Sequence, residues 1–402
     1  MAFSARLWIT LTGITLTLMC LTFLSGCGGI GVRETGSVSG EVWSDFEPLS
    51  GVLVEAQGVS TTTGPEGDFF LDRVPVGERY LFFSRTGFTG NFSRVRVEKG
   101  RTSLVNPEGR IFLALRNEQS LAEYIFILYE GGLYERAIFE SEQFLTEYPA
   151  GSRTGDIFFI QGASWYYLGE YQKAVDALSE MSAFYPENLF ADDARYLLAK
   201  SYGEGLGNFG AAIVQYRYLV DNYPHSPLVP TAYFEMADAY YILGFFFEAA
   251  QIYELTIGLG GEVGRKATYA LGHCYYRMNQ HQEAARQFAL YVALYPATDL
   301  SDDAQYFEGA SHFQNRKFPE ALIAFEKTVI NYPNGTWYNG ILIAPAALFH
   351  KGLSLERMGR FQEAHDVYVG IIVNYPRALW ADGTSLVNSA RFRIDWLRAN
   401  VL

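Results

Sequence analysis

Between Leu121 and Tyr375 the chain repeats one pattern seven times, and six of the copies close on the same dipeptide: Tyr148-Pro149, Tyr185-Pro186, Tyr223-Pro224, Tyr295-Pro296, Tyr332-Pro333 and Tyr375-Pro376. Successive dipeptides stand about 37 residues apart, with one gap of about twice that, in which a Gly-rich loop, Gly258 to Gly264, replaces the missing pair. A proline ends a helix, and the residue before it is driven out of helical backbone. A fixed stop at this period therefore marks short helical units, none of which can bury its apolar face alone. Stacking on neighbours is what makes them stable.

The sixth copy is the clearest. Ala304, Phe307, Ala310 and Ser311 recur at helical spacing, Asn315-Arg316-Lys317 makes a polar turn, and Ala321, Leu322, Phe325 and Val329 resume the period before Tyr332-Pro333. Each unit is thus a pair of amphipathic helices. Early in the second helix of every copy stands an alanine: Ala137, Ala174, Ala212, Ala249, Ala284, Ala321 and Ala364. A methyl at that place lets two helix axes approach closely. The first helix carries small residues at two places, Gly162, Ala199, Ala237, Gly272, Gly309, Gly352 and then Ser164, Ser201, Ala239, Cys274, Ser311, Ser354. A bulky residue follows, as Trp165, Tyr202, Tyr240, Tyr275, His312 and Leu355, and is expected to fill the space the small ones leave.

These columns resemble the tetratricopeptide repeat (TPR), most closely in Leu168-Gly169-Glu170-Tyr171-Gln172-Lys173-Ala174 and in the order Gly272, Tyr275, Ala284, Phe288, Pro296. The resemblance covers 116–378, about two-thirds of the chain. It implies an all-α superhelical solenoid of seven hairpins. The first copy departs from the pattern, with Ile125 and Leu128 in the small and bulky places, as suits a terminal repeat. A last amphipathic stretch within 379–402, with Leu386, Ala390, Ile394 and Leu397 on one face and Arg391, Arg393 and Arg398 off it, reads as a capping helix. Openings such as Ala191-Asp192-Asp193-Ala194 and Ser301-Asp302-Asp303-Ala304 are similar to those of bacterial envelope TPR lipoproteins, among them the TPR subunit of the outer-membrane β-barrel assembly machinery and the periplasmic TPR partner of the Tol-Pal system.

Ahead of the repeats the period changes from 3.6 to 2. Ser37 to Trp43, Val52 to Ala56, Phe69 to Leu71, Tyr80 to Phe83 and Arg94 to Glu98 alternate, with Gly, Pro, Asp and Asn between them. Residues 36–115 are therefore expected to form a small antiparallel β-sandwich. The phrases Gly51-Val52-Leu53-Val54-Glu55 and Thr63-Gly64-Pro65-Glu66-Gly67-Asp68 resemble the transthyretin-type, carboxypeptidase regulatory-like domain, which implies a spacer or docking module and carries no peptidase activity.

The first 26 residues read as an export signal, with Arg6, an apolar run from Leu7 to Phe23, and then Leu24-Ser25-Gly26-Cys27. That ending resembles the bacterial lipobox, which implies cleavage before Cys27 and lipid attachment to it, with 27–35 as a linker. Gly28 follows in place of the Asp associated with inner-membrane retention, so the resemblance implies the periplasmic face of the outer membrane. A net charge of −13 makes nucleic acid and anionic head groups poor partners. Of three cysteines only Cys274 would remain free in the mature chain, at a small-residue place.

Catalytic and metal signatures are missing from the sequence. There is no His-Glu-x-x-His, no paired CxxC and no Gly-x-Ser-x-Gly, and the six histidines are scattered. The Asp192-Asp193 and Asp302-Asp303 pairs suit the positive ends of the helices they begin. No cofactor is expected, and the expected activity is binding without turnover, with envelope proteins or extended peptide segments as partners. Alternatives from other classes are an accessory or catalytic role in peptidoglycan or peptide processing and a structural part of an export complex. The partner-binding candidates lie on the first helices, which in TPR superhelices line the concave surface. One column is aromatic from the second copy on, Phe159, Tyr196, Phe234, Tyr269, Tyr306 and Phe349, and is read either as groove or as inter-repeat packing. Tyr166, Glu204, Tyr241 and Tyr276 follow it. Aromatic side chains suit recognition because they offer large contact area at little entropic cost.

Overall fold

A computed structural model describes residues 34–45 and 47–401. Cys27 and the leader before it lie outside the described residues. Two compact units result, one ending at Ser201 and the other beginning at Tyr202.

The first unit opens with two sheets. β1 (Thr35–Ser44) is the spine of one, with β2 (Glu47–Pro48) and β5 (Asp68–Pro75) antiparallel to it. The other sheet is wholly antiparallel, in the order β4 (Val59–Thr62), β3 (Leu53–Ala56), β6 (Gly77–Ser84), β7 (Asn91–Val97). Alternate residues Val38, Val42, Val54, Phe69, Leu71, Leu81, Phe83, Val95 and Val97 meet in one core, with the rings of Phe69 and Phe83 edge to face at 5.7 Å. The expected all-antiparallel arrangement needs one correction. β8 (Thr102–Leu104) and β9 (Arg110–Phe112) both pair with β1 in parallel. Alternation specifies which face of a strand is buried and carries no information on strand direction, and the second sheet supplies the long crossover that parallel pairing requires.

Helices follow as hairpins: α1 (Glu118–Glu130) with α2 (Tyr134–Glu147), and α3 (Thr154–Tyr167) with α4 (Tyr171–Phe184). α5 (Ala191–Lys200) ends the first unit and α6 (Phe209–Asn222) belongs to the second, with a π-helix, Ser201–Gly205, between them. The second unit continues with α7 (Val229–Ile242) and α8 (Phe246–Leu259), α9 (Gly261–Arg277) and α10 (His281–Leu294), α11 (Ser301–Gln314) and α12 (Phe318–Asn331), α13 (Ala344–Arg357) and α14 (Phe361–Asn374), and α15 (Leu386–Asn400). All seven alanines of the second-helix column are buried to within 1%. The turn within each hairpin passes through one residue with left-handed backbone: Gly132, Gly169, Gly207, Gly244, Asn279, Arg316 and Gly359. Five are glycine, which adopts that conformation without strain, and Asn is the next best tolerated. At the far end each Tyr before Pro takes φ from −122 to −134° with ψ from 52 to 64°, outside the helical region that the following proline disfavours.

The Gly258–Gly264 segment departs from expectation. It is not a loop: α8 runs to Leu259, α9 starts at Gly261, and Gly260 alone joins them, with φ +73° and ψ −158°. That backbone region is essentially restricted to glycine, and Gly261 after it is also left-handed at φ +66°, so two glycines make the corner that Tyr-Pro and its linker make elsewhere.

The filler of the small-residue places is also different from the one expected. Added Cβ atoms at Gly272, Gly309 and Gly352 would lie 2.7, 2.7 and 2.6 Å from Phe288, Phe325 and Tyr368, and one at Gly162 would lie 2.5 Å from Leu178. The knob is thus the residue four places after the column alanine, on the second helix of the same hairpin. Trp165, Tyr202, Tyr240, Tyr275 and His312 are instead half-buried on the hairpin's flank. There Lys173 covers Trp165 at 4.3 Å and the Tyr275 hydroxyl donates to Glu254 at 2.8 Å. Each bulky residue stands three places after the glycine, about 60° away around the helix, which puts it on the flank while the glycine faces the partner helix. Three buried serines of the second small place donate back to the carbonyl four residues earlier, Ser201 to Leu197 at 2.7 Å, Ser311 to Phe307 at 2.6 Å and Ser354 to His350 at 2.8 Å.

Both ends of the array are covered. Leu386, Ala390, Ile394 and Leu397 of α15 are buried against the last hairpin as expected, while Arg393 reaches Glu356 of α13 through Nε at 2.9 Å. At the other end the sandwich closes on α1. Thr89 and Ser120 hydroxyls lie 2.6 Å apart, and a Cβ on Gly90 would come within 3.0 Å of the Tyr124 ring.

Two substitutions test this packing. Gly309→Ala drives a methyl into Phe325, and Ala321→Leu overfills the neighbouring contact; each is expected to cost about 1–3 kcal/mol in urea unfolding. Unchanged unfolding midpoints for both would show that these residues do not face each other.

Candidate functional site

The aromatic column of the first helices is inside the fold. Phe159, Phe234, Tyr269, Tyr306 and Phe349 are between 2 and 8% exposed, and Tyr196 is half-buried. Each buried ring packs on its own second helix, for example Phe234 on Tyr253 at 5.7 Å, Tyr306 on Phe325 at 5.6 Å and Phe349 on Tyr368 at 5.3 Å. A second ring closes over several of them from the residue that begins the next hairpin. Phe190 stacks on Phe159 at 4.7 Å, Trp337 meets Tyr306 edge-on at 4.9 Å, and Trp380 meets Phe349 at 5.0 Å. These covering residues, with Leu228 and Leu300, stand four places after the proline in every such copy from the second on. That fixed offset was a signal in the sequence. Of the two readings of the column, burial leaves packing for these five, whose rings offer little surface to a partner.

The residues that follow the column divide differently. Tyr166, Tyr241 and Tyr276 are half-buried and lean on the first residue of their own second helix: Tyr171 at 5.7 Å, Phe246 at 5.2 Å and His281 at 5.3 Å. Tyr129 with Tyr134 at 6.0 Å and Phe313 with Phe318 at 5.5 Å make the same corner. Phe313 belongs to this set although the sequence reading passed over it. In the second unit Arg277, itself exposed, ties adjacent corners together, with its guanidinium 5.8 Å from Tyr241 and 4.6 Å from Phe246. Burial raises the Tyr241 and Tyr276 hydroxyls above the ordinary phenol range, so both are neutral donors at physiological pH. Within the second unit, the half-exposed rings of Tyr241 and Tyr276, with their neutral hydroxyls and the Arg277 guanidinium nearby, can take up an extended polypeptide through apolar contact and hydrogen bonds.

Glu204 is not a member of that set. The third hairpin has one more residue than its neighbours between its aromatic, Tyr196, and its left-handed glycine, Gly207. The π-helix Ser201–Gly205 absorbs the extra residue. Gly203 therefore takes the place of Tyr166 and Tyr241, and Glu204 is displaced one position further, onto an exposed surface. A second exposed surface was not anticipated at all: Leu255 and Leu259 of α8, Leu290 and Leu294 of α10, and Ile323 and Ile330 of α12 are each about half exposed or more.

Among the described residues no group of three His, Cys, Asp or Glu side chains is placed to hold a metal ion, and no helix is long and apolar enough to cross a membrane. The aspartate pairs sit in the first turns of α5 and α11. There Asp302 accepts backbone N–H bonds from Asp303 and from Thr336, both at 2.9 Å. Cys274 is fully buried and its thiol is pushed well above the usual range by that burial. His273, ringed by Tyr269, Phe288 and Phe307 at 4.5–5.0 Å, is held down to about 3 by desolvation and stays neutral.

One buried acid stands out. Asp238 of α7 is 5% exposed and accepts a hydrogen bond from the Tyr253 hydroxyl. Desolvation first, and then the charge of Glu235, raise its carboxyl well above the ordinary range, against the opposing pull of the Tyr253 hydrogen bond and of Lys266. A folded-state value above the unfolded one makes the fold lose stability as pH rises past about 4. Asp238→Asn keeps an acceptor for Tyr253 and removes this loss. Its advantage over the parent in thermal unfolding is expected to be absent near pH 4 and to grow toward pH 8; equal melting at pH 8 would show the acid to be compensated.

Sequence models of the tetratricopeptide repeat match residues 193–226, 269–336 and 346–378. No curated protein matches the chain. Among solved structures, the C-terminal part of a TPR repeat-containing protein from Cytophaga hutchinsonii is similar over 63% of this chain and 95% of its own, with 17% identity and a TM-score of 0.51. A TPR protein from Parabacteroides merdae is similar over 69% of this chain and 97% of its own, with 14% identity and a TM-score of 0.42. Residues 193–226, 269–336 and 346–378 thus carry tetratricopeptide-repeat motifs, and the helical part of the chain has the fold of a TPR-like α-solenoid.

Proposed function

We propose that this chain is a non-catalytic scaffold, lipid-anchored at the periplasmic face of a bacterial outer membrane, whose repeats hold an extended segment of another envelope protein. The observation that carries the binding reading is the half-exposed corner aromatics Tyr241 and Tyr276 on tetratricopeptide repeats of the second unit, a repeat whose arrays serve protein–protein interaction. Each ring is propped by the first residue of the following helix, so its contact face is held in place before a partner arrives, and less entropy is lost on binding. The placement in the envelope rests on Leu24 to Cys27 and on the resemblance of the repeat openings to envelope lipoproteins.

Two experiments separate the parts of this reading. Tyr241→Ala with Tyr276→Ala is expected to remove most partner captured from envelope extracts, since loss of an anchor side chain costs about 2 kcal/mol or more. Circular dichroism melting of the pair must match the parent. An unchanged set of captured proteins would exclude these corner aromatics and point to the leucine-bearing second helices. For the anchor, Cys27→Ser is expected to abolish metabolic labelling with palmitate and leave unprocessed precursor, because stable membrane attachment needs two or more acyl chains. Equal labelling of variant and parent would refute the lipid attachment.

A further inference from the structure

Where the sandwich meets the first hairpin there is a cleft of about 410 Å³ whose walls include Arg85, Arg116, Arg136 and Glu140. The chain as a whole is strongly acidic at −13, so three guanidiniums converging on one opening run against its overall charge. Arg116 is satisfied: its Nε and Nη2 donate to the two Glu147 oxygens at 3.1 and 2.7 Å. Arg136 is satisfied only in part. Its Nη2 meets Glu140 at 3.0 Å, but its buried Nε has no hydrogen-bond partner. Behind the Gly90 wall of the same cleft the buried Tyr124 hydroxyl interacts with Arg136, whose guanidinium also lies over the rings of Phe82 and Phe139 at 5.7 and 5.2 Å. Arg85 lies over the Phe88 ring at 5.2 Å and has no carboxylate beside it among the described residues.

Against three guanidiniums stand two carboxylates, Glu140 and Glu147, which leaves a single positive charge. A monoanion balances that charge, whereas a phosphate dianion would overshoot it and face Glu140 directly. The planar fork of Arg85, which lies over the Phe88 ring, suits bidentate binding of a carboxylate. We propose that this cleft is a carboxylate-binding site, taking an acidic side chain of a peptide segment at Arg85, separate from the corner aromatics of the repeats.

The test is calorimetric titration of the full chain with an acetylated, amidated tetraglutamate peptide, with the tetraglutamine peptide and inorganic phosphate as the other arms. Arg85→Ala breaks no ion pair and is expected to fold as the parent. The expected result is binding of tetraglutamate that weakens with salt, is roughly tenfold or more weaker in Arg85→Ala, and is unchanged in Arg94→Ala, whose guanidinium pairs with Glu78 outside the cleft. Tetraglutamine should not bind, and phosphate should not compete. Equal affinity of parent and Arg85→Ala, binding of tetraglutamine as tight as tetraglutamate, displacement of the peptide by phosphate, or no binding to the parent would each overturn the proposal.

Discussion

The distance at which two helices of one hairpin can approach governs the helical part of this protein. Where the first helix presents Gly272, Gly309 or Gly352, the ring of Phe288, Phe325 or Tyr368 rests on bare backbone, closer than any Cβ allows. The second helix answers with an alanine one turn earlier, fully buried in each of these hairpins. Small residues on both sides set the interaxial distance at the short end of what packed helices adopt, and the ring then fills the remaining volume to native density. Because the contact recurs with the repeat, each hairpin offers its successor nearly the same surface.

Other features follow from holding that geometry through successive copies. The chain must reverse in a few residues inside each hairpin, which one left-handed residue accomplishes, and it must leave the second helix at a fixed place, which Tyr-Pro enforces. Where Tyr-Pro is missing, Gly260 adopts a conformation open only to glycine and the next helix starts at once. Where one residue is added, at Ser201–Gly205, a π-turn takes it up without disturbing the turn glycine beyond it. The array accommodates irregularity at its joints and keeps the column alanine buried in all seven hairpins.

Much of this was legible in the sequence because periodicity reports burial. The stops at Tyr-Pro, the seven alanines, the strand alternation in 36–115 and the buried face of α15 all depend on which side of an element is apolar, and that is written residue by residue. What could not be read depends on direction or on partners distant in sequence. Parallel pairing of β8 and β9 with β1 leaves the same alternation as antiparallel pairing would. The filler of the glycine places looked like Trp165 or Tyr275, three residues along the same helix, whereas it comes from the partner helix, whose register the sequence does not show. Glu204 was misplaced for a related reason: a one-residue insertion shifts every column after it by about 100° on a helix, and only the turn glycine, counted from Tyr196, reveals the shift.

The division of the aromatics bears on function. A ring such as Tyr306, closed in by Phe325 on one side and Trp337 on the other, stiffens the joint between hairpins. A ring such as Tyr241, propped on Phe246 and reached by Arg277 from the following hairpin, is half-exposed and held at a defined angle. The second kind depends on the first, since a corner keeps its angle only while the joints beneath it are rigid. Affinity for an extended segment then draws on preorganisation at several corners, each contributing modestly, and register along the segment is set by the repeat. The sandwich adds a different element at one end. By docking on α1 through Thr89 and Gly90 it covers an apolar helix face that would otherwise meet water, and the arginine-lined cleft at the junction is a consequence of that docking. Charge recognition is thereby confined to a place where two folds meet, while the repeats themselves offer mainly aromatic and aliphatic surface.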